Sequence, residues 1–148
     1  MRGRTRRGAA PRRRRLPPHP AMTGRLRVSA GSPYEPTICF SRAVRVGDRV
    51  LVSGTAPVWP DGSCPPDAGA QARRCFEIIL AALREAGAGR EHVVRTRVFL
   101  TDAGDWEAVG RAHGAAFGEA RPAATMVVVA ALLDPRWKVE IEAEAVIG

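Results

Sequence analysis

With 148 residues the chain is long enough for one domain with a real core and too short for two of ordinary size. Its formal charge of +8 suggests nucleic-acid binding only until it is divided along the chain: eight of the 23 basic residues are arginines within positions 1–21, where there is no acid, and from Met22 onward 15 basic residues face 15 acidic ones. A neutral body excludes a basic binding face built into the fold, and any phosphate or anionic-membrane contact is left to the tail.

That tail, MRGRTRRGAAPRRRRLPPHPA, has proline and arginine where apolar periodicity would be, so it cannot bury enough surface to offset the entropy of ordering it. Residues 1–27 are expected to be disordered and residues 28–148 to form the domain. The abrupt change of pattern at Met22 favours that methionine as the true initiator over a polybasic arm or a transit peptide.

In the body, TICFSRAVRV (37–46) and RVLVSGTA (49–56) read as strands joined by a hairpin at Gly47 and Asp48. PVWPDGSCPPD (57–67) is a loop. AGAQARRCFEIILAALREAG (68–87) predicts a helix with Ala72, Cys75, Phe76, Ile79, Leu80 and Leu83 on its apolar stripe and Gly87 past its end. HVVRTRVFLTD (92–102) predicts a strand with Val94, Thr96, Val98 and Leu100 on one face and Arg95 and Arg97 on the other. Asp102 or Asp105 can cap a second helix whose face is Trp106, Val109, His113 and Phe117. Strands over 124–133 and 138–147 complete the order ββαβαββ. Two amphipathic helices interleaved with strands imply a two-layer α+β domain, both helices on one face of a mixed sheet.

In the last strand, KVEIEAEAVI, the period of two sends Glu140, Glu142 and Glu144 to one face and Val139, Ile141, Ala143 and Ala145 to the other. Read from composition alone, the glutamates are a solvated strand face with Arg95 and Arg97 as cross-strand partners. That face also receives apolar residues such as Phe99 and Val127 or Val128, which implies that it meets other subunits. Cys39, Cys64 and Cys75 and the three histidines have no metal-ligand spacing, and the cysteines read as reduced structural thiols. Trp59, Trp106, Trp137 and His113 read as packing residues. The longest apolar stretch, ATMVVVAALL (124–133), is too short to cross a bilayer, and a cytoplasmic location is expected.

The ordered set SPYEP (32–36), VLVSGTAP (50–57), AQARRCFEIILAALREAG (70–87), VVRTRVFLTDAGDWEAV (93–109), RPA (121–123) and KVEIEAEAV (138–146) resembles the RidA, or YjgF, family of reactive-intermediate deaminases. The resemblance implies a chorismate-mutase-like α+β fold, a homotrimer with clefts between subunits, and hydrolysis of small enamines and imines to 2-oxo acids and ammonia without metal or cofactor. It places a water-holding glutamate at Glu140 and cleft-lining residues at Tyr34 and Gly54. The family's carboxylate-binding arginine falls on Ala124, followed by Thr125, because the motif reads RPAAT. An alanine cannot supply the charge or the fork geometry of a guanidinium. Arg121, at an odd offset, and Arg136, in the DPRW turn, are the nearest replacements by sequence, and neither is expected to serve. Two readings follow: a hydrolase of small imines, enamines or related metabolites with Glu140 positioning water, or a homotrimer that keeps the fold and binds or regulates without the chemistry.

Overall fold

The computed structural model of the protein describes residues 24–148. The expectations for residues 1–21 and for Met22 lie outside the described residues. The elements in chain order are β1 (Arg25–Val28), α1 (Tyr34–Ile38), β2 (Ala43–Val46), β3 (Arg49–Thr55), α2 (Ala68–Glu85), β4 (Val93–Leu100), α3 (Trp106–Phe117), β5 (Ala123–Val128) and β6 (Val139–Val146). They form one six-stranded sheet ordered β1-β2-β3-β6-β4-β5, in which only β4 and β5 run parallel.

The alternation in β6 is explained by its place between β3 and β4: Val139, Ile141, Ala143 and Ala145 are buried beneath the helices, and the three glutamates are half-buried on the far face. The stripe of α2 supplies Ala72, Cys75, Phe76, Ile79 and Leu83 to the same core, and α3 adds Val109, Ala112 and Phe117. Full burial of side chains such as Ile79 and Leu83 contributes about 1.5–3 kcal/mol each. Asp67 caps α2 by accepting from the Ala70 amide, and Gly87 follows its end with φ +83°, where a Cβ would be strained. Thr96 reaches across to His113, Oγ1 to Nε2 at 2.8 Å, and burial lowers the pKa of that histidine, so it is a neutral packing residue.

Several local expectations are corrected. Arg25–Arg27, assigned to the tail, belong to β1, which pairs with β2 from Arg25↔Val46 to Val28↔Ala43. The strand expected from Thr37 begins only at Ala43, because residues 34–38 form the short helix α1, stopped where Cys39 turns left-handed at φ 64°. Five residues cannot display a helical period, and Pro36 sits in a first turn where a missing N–H costs little. Val94 is exposed, because a register shift between Val93 and Arg95 puts Val93 in the core instead. Asp102 caps a single 3-10 turn over residues 103–105, and Asp105 makes no side-chain cap. Trp106 is exposed, as is Cys39. β5 ends at Val128, well short of Leu133.

A buried glutamine ties the loops to this frame. The Nε2 of Gln71 donates to the carbonyls of Pro65 (2.8 Å) and Arg136 (3.0 Å), while its Oε1 accepts from the Lys138 amide (2.7 Å). It therefore fixes the chain at the start of β6, two residues before Glu140. Gln71→Leu fits the same volume, leaves the Pro65 carbonyl and the Lys138 amide unpaired and leaves the Arg136 carbonyl only the Cys64 thiol. It is expected to lower stability by about 2–3 kcal/mol, read as a shift in the urea unfolding midpoint.

Candidate active site

The three glutamates of β6 share a face and differ in their neighbours. The antiparallel register sets Glu142 opposite Arg97, Glu144 opposite Arg95 and Glu140 opposite Phe99. Arg97 donates to Glu142 at 2.9 Å and lies 3.8 Å from Glu144, whose other partner is Arg49 at 3.1 Å. These two glutamates are the expected ion-paired strand face, except that Arg97 and Arg49 do the pairing and Arg95 does not. Glu140 faces a phenyl ring across the ladder and has no ion-pair partner among the described residues. Burial raises its pKa, against the pull of Arg42 and with a smaller push from Glu142.

On the other side of β6, the β3 register shifts between Val52 and Thr55, so Ser53 and Gly54 form a bulge. Glu140 fills the space this makes: a Cβ on Gly54 would stand 2.6 Å from its Oε1. The glycine is thus required for the close approach of a carboxylate, and its φ is not positive.

A second charged group converges on Gly54. Arg42, just before β2, donates from Nη2 to the Gly54 carbonyl at 2.5 Å. Its guanidinium lies 5.9 Å from the Phe40 ring centroid, and its Nε is buried without a hydrogen-bond partner. Desolvation lowers its pKa, opposed by the fields of Glu35 and Glu140, yet neither carboxylate pairs with it directly. Glu35 is held elsewhere, accepting from the Ser29 hydroxyl (2.5 Å) and the Ala30 amide (2.9 Å), and the hydrogen bond from Ser29 is the main reason its pKa is lowered. Sequence reasoning assigned no role to Arg42 or Glu35. The available signal was an arginine between Ser41 and the strand residues Ala43 and Val44, and a glutamate between Tyr34 and Pro36.

Of the residues predicted from sequence, Glu140 and Gly54 are brought together. Tyr34 opens α1, 65% exposed, one residue before the buried Glu35. Ala124 and Thr125 lie on the exposed edge strand β5, in register with Thr96 and Arg97. Thr96 is buried beneath the helices, so the pleat assigns Ala124 to the face opposite Glu140 within one protomer. Arg136 is committed to its own turn, paired with Asp134 at 2.8 Å and bonded to the Gly62 carbonyl at 3.1 Å. Arg121 is exposed with φ 44° at the entrance to β5.

The model of the family described as Endoribonuclease L-PSP matches residues 31–147. The 2-iminobutanoate/2-iminopropanoate deaminase of Escherichia coli is 37% identical over 112 residues, covering 72% of this chain and 86% of that protein. The chain belongs to the RidA/YjgF family. An uncharacterized protein of Streptomyces coelicolor is 42% identical over 125 residues, covering 82% of this chain and 92% of its own length. Among solved structures, a YjgF/YER057c/UK114 family member from Mycobacterium tuberculosis is 44% identical with a TM-score of 0.78, covering 84% of this chain and all of that one. E. coli TdcF, solved with bound serine, is 31% identical with a TM-score of 0.70, covering 82% and 94%. The α+β RidA fold expected from sequence is therefore the fold observed, with β1 and α1 added to the expected order.

The Gly54 contact can be tested without substrate. In Gly54→Ala the flexible Glu140 side chain must swing away from the bulge into water. Stability should change by less than about 1 kcal/mol, while the carboxyl titration of Glu140, followed by carbon NMR, should move down toward the ordinary 4.5. An unchanged titration would show that the bulge does not set the environment of this carboxylate.

Proposed function

We propose that this RidA-family protein is a cofactor-independent hydrolase of small imines, enamines or related metabolites, with Glu140 handling the water. The observation that carries the reading is the unpaired, half-buried carboxylate of Glu140 against Gly54, beside two glutamates that are fully engaged. A carboxylate without a cation partner keeps its basicity, and the rise in its pKa brings it nearer to the operating pH of a general base. Names of relatives support the chemistry: the E. coli relative is called a 2-iminobutanoate/2-iminopropanoate deaminase.

The reaction needs one water, both of whose protons end on nitrogen. Water oxygen bonds to the iminium carbon as Glu140 takes a water proton, giving a neutral carbinolamine. Glu140 then returns that proton to nitrogen, the C–N bond breaks as the hydroxyl gives its proton to Glu140, and a carbonyl product and ammonia leave, the ammonia taking up that proton as ammonium. Gly54 contributes by leaving room for the carboxylate, and Tyr34 and Thr125 are rim residues for a ligand in a cleft completed by another copy.

A homotrimer is part of the proposal. Apolar side chains remain exposed on β5, including Met126, Val127 and Val128, although an edge strand is ordinarily protected. The outer face of the sheet is an open concavity of about 500 Å³ lined by Val44, Val46, Leu51, Arg97, Glu142 and Glu144 among others. Both surfaces suit contact between copies. Among the described residues no helix is long and apolar enough to cross a membrane, and we propose a cytoplasmic protein.

The alternative, a trimer that binds a small molecule without converting it, is favoured by Ala124, where the family resemblance implies an arginine. Assay of the purified protein with imines generated by an amino-acid oxidase separates the two. Wild-type protein should accelerate ammonia release, and Glu140→Gln should lower the rate by about a hundredfold or more. The same variant should be more stable than wild type at pH 7. A carboxyl whose native pKa is raised contributes stability fully below its unfolded value near 4.5 and loses it as pH rises through the native value, so the gain should vanish in acid. No acceleration over buffer by wild type across a broad imine panel would favour the binder.

A further inference from the structure

We propose that Arg42 is the specificity-determining cation of this site, selecting ligands that carry a carboxylate next to the reacting carbon. The inference rests on the reading of Glu140 as the reacting-side carboxylate and adds a residue from the opposite side of Gly54.

Two opposite charges converge on Gly54 without joining. Glu140 reaches the Cα side of the glycine, and Arg42 reaches its carbonyl. A half-buried guanidinium and a half-buried carboxylate this close would ordinarily collapse into an ion pair, as Arg97 and Glu142 do one step along the face. Here Arg42 is held by its bond to Gly54 and lies beside Phe40, while Glu140 lies against Gly54 in the bulge, opposite Phe99 in the ladder. Glu35, which might neutralise Arg42, is turned to Ser29 and Ala30.

The guanidinium has five N–H donors. One is on the Gly54 carbonyl, and Nε has no partner. A 2-iminium carboxylate carries the complementary pair on adjacent carbons: its cationic carbon–nitrogen centre matches Glu140 and its carboxylate matches Arg42. The restraint on Arg42 also lowers the entropy lost when a ligand binds. On this account Arg42, on the inner half of the sheet, supplies the charge that Ala124 on the edge strand does not.

The full-length protein is tested first without mutation, by calorimetric titration with pyruvate and with its uncharged analogue pyruvamide. Pyruvate should bind about tenfold to a hundredfold more tightly, the range expected for hydrogen bonds to a charged group. Arg42→Met should erase most of that difference, and Arg42→Lys should restore part of it through charge alone. In the oxidase-coupled assay Arg42→Met should raise KM for 2-imino acids by a similar factor while kcat changes less. A merely structural Arg42 would leave the ratio of pyruvate to pyruvamide affinity unchanged.

Equal binding of the two ligands by wild type, or no binding of pyruvate, overturns the assignment of Arg42, and does so while the hydrolase reading stands if imines are still turned over. Arg42-dependent pyruvate binding without turnover of any imine supports the assignment while the hydrolase reading fails. Should Arg42→Met not fold, the wild-type ligand pair and Arg42→Lys decide.

Discussion

The constraint on which the site depends is the register of β6 against β4. It puts Arg97 opposite Glu142 and leaves Glu140 facing Phe99. Had the ladder been displaced by two residues, the same sequence would have neutralised Glu140 and exposed a neighbour instead. Cross-strand partners sit about 5 Å apart and diagonal neighbours about 7–8 Å, so an arginine at one ladder position reaches its own partner and can turn to one diagonal neighbour. Arg97 does so, touching Glu142 and Glu144. Glu140, the diagonal neighbour on the other side of Glu142, is left in a half-buried position where its charge is costly, which is the condition under which a carboxyl becomes a useful proton acceptor.

Register alone would not hold Glu140 in place. The bulge at Ser53 and Gly54 breaks the β3–β6 ladder beside it and removes a side chain, so the carboxylate lies against backbone. Gln71, reaching from α2 to Pro65, Arg136 and Lys138, sets where β6 begins and hence which residue meets the bulge. Ser29, between β1 and α1, holds Glu35 away from Arg42. Glu140 and Arg42 thus meet at Gly54, while Gln71 and Ser29 act from further off through hydrogen bonds to the start of β6 and to Glu35.

What could be read from the sequence and what could not divide along physical lines. The β6 alternation and the α2 stripe are long, strictly periodic signals, and both gave the correct buried faces. β1 and α1 were missed because four and five residues, one set adjoining an arginine-rich tail and the other containing Pro36, carry no period. Val94 was assigned to the wrong face because a register shift changes the parity of the strand without any mark in composition. Glu140 and Gly54 were found through family resemblance. Arg42 was not, since its importance comes from Gly54, twelve positions away, and from Glu140 on a strand that lies beyond both helices in the chain. Partners of Glu142 and Glu144 were foreseen as arginines, but Arg49 in place of Arg95 follows from sheet order, which strand patterns do not encode.

The location of the cation matters as much as its presence. Within one protomer an arginine on β5 would stand on an edge strand whose six residues are all exposed, so its ordering would wait on contact between copies. Arg42 is half-buried, already bonded to the Gly54 carbonyl and adjacent to Phe40, so much of that ordering has occurred before a ligand arrives. It and Glu140 both approach Gly54, the arginine by a hydrogen bond to the carbonyl and the carboxylate by lying where a Cβ would stand. The approach of both groups to one glycine is what the bulge at Gly54 provides.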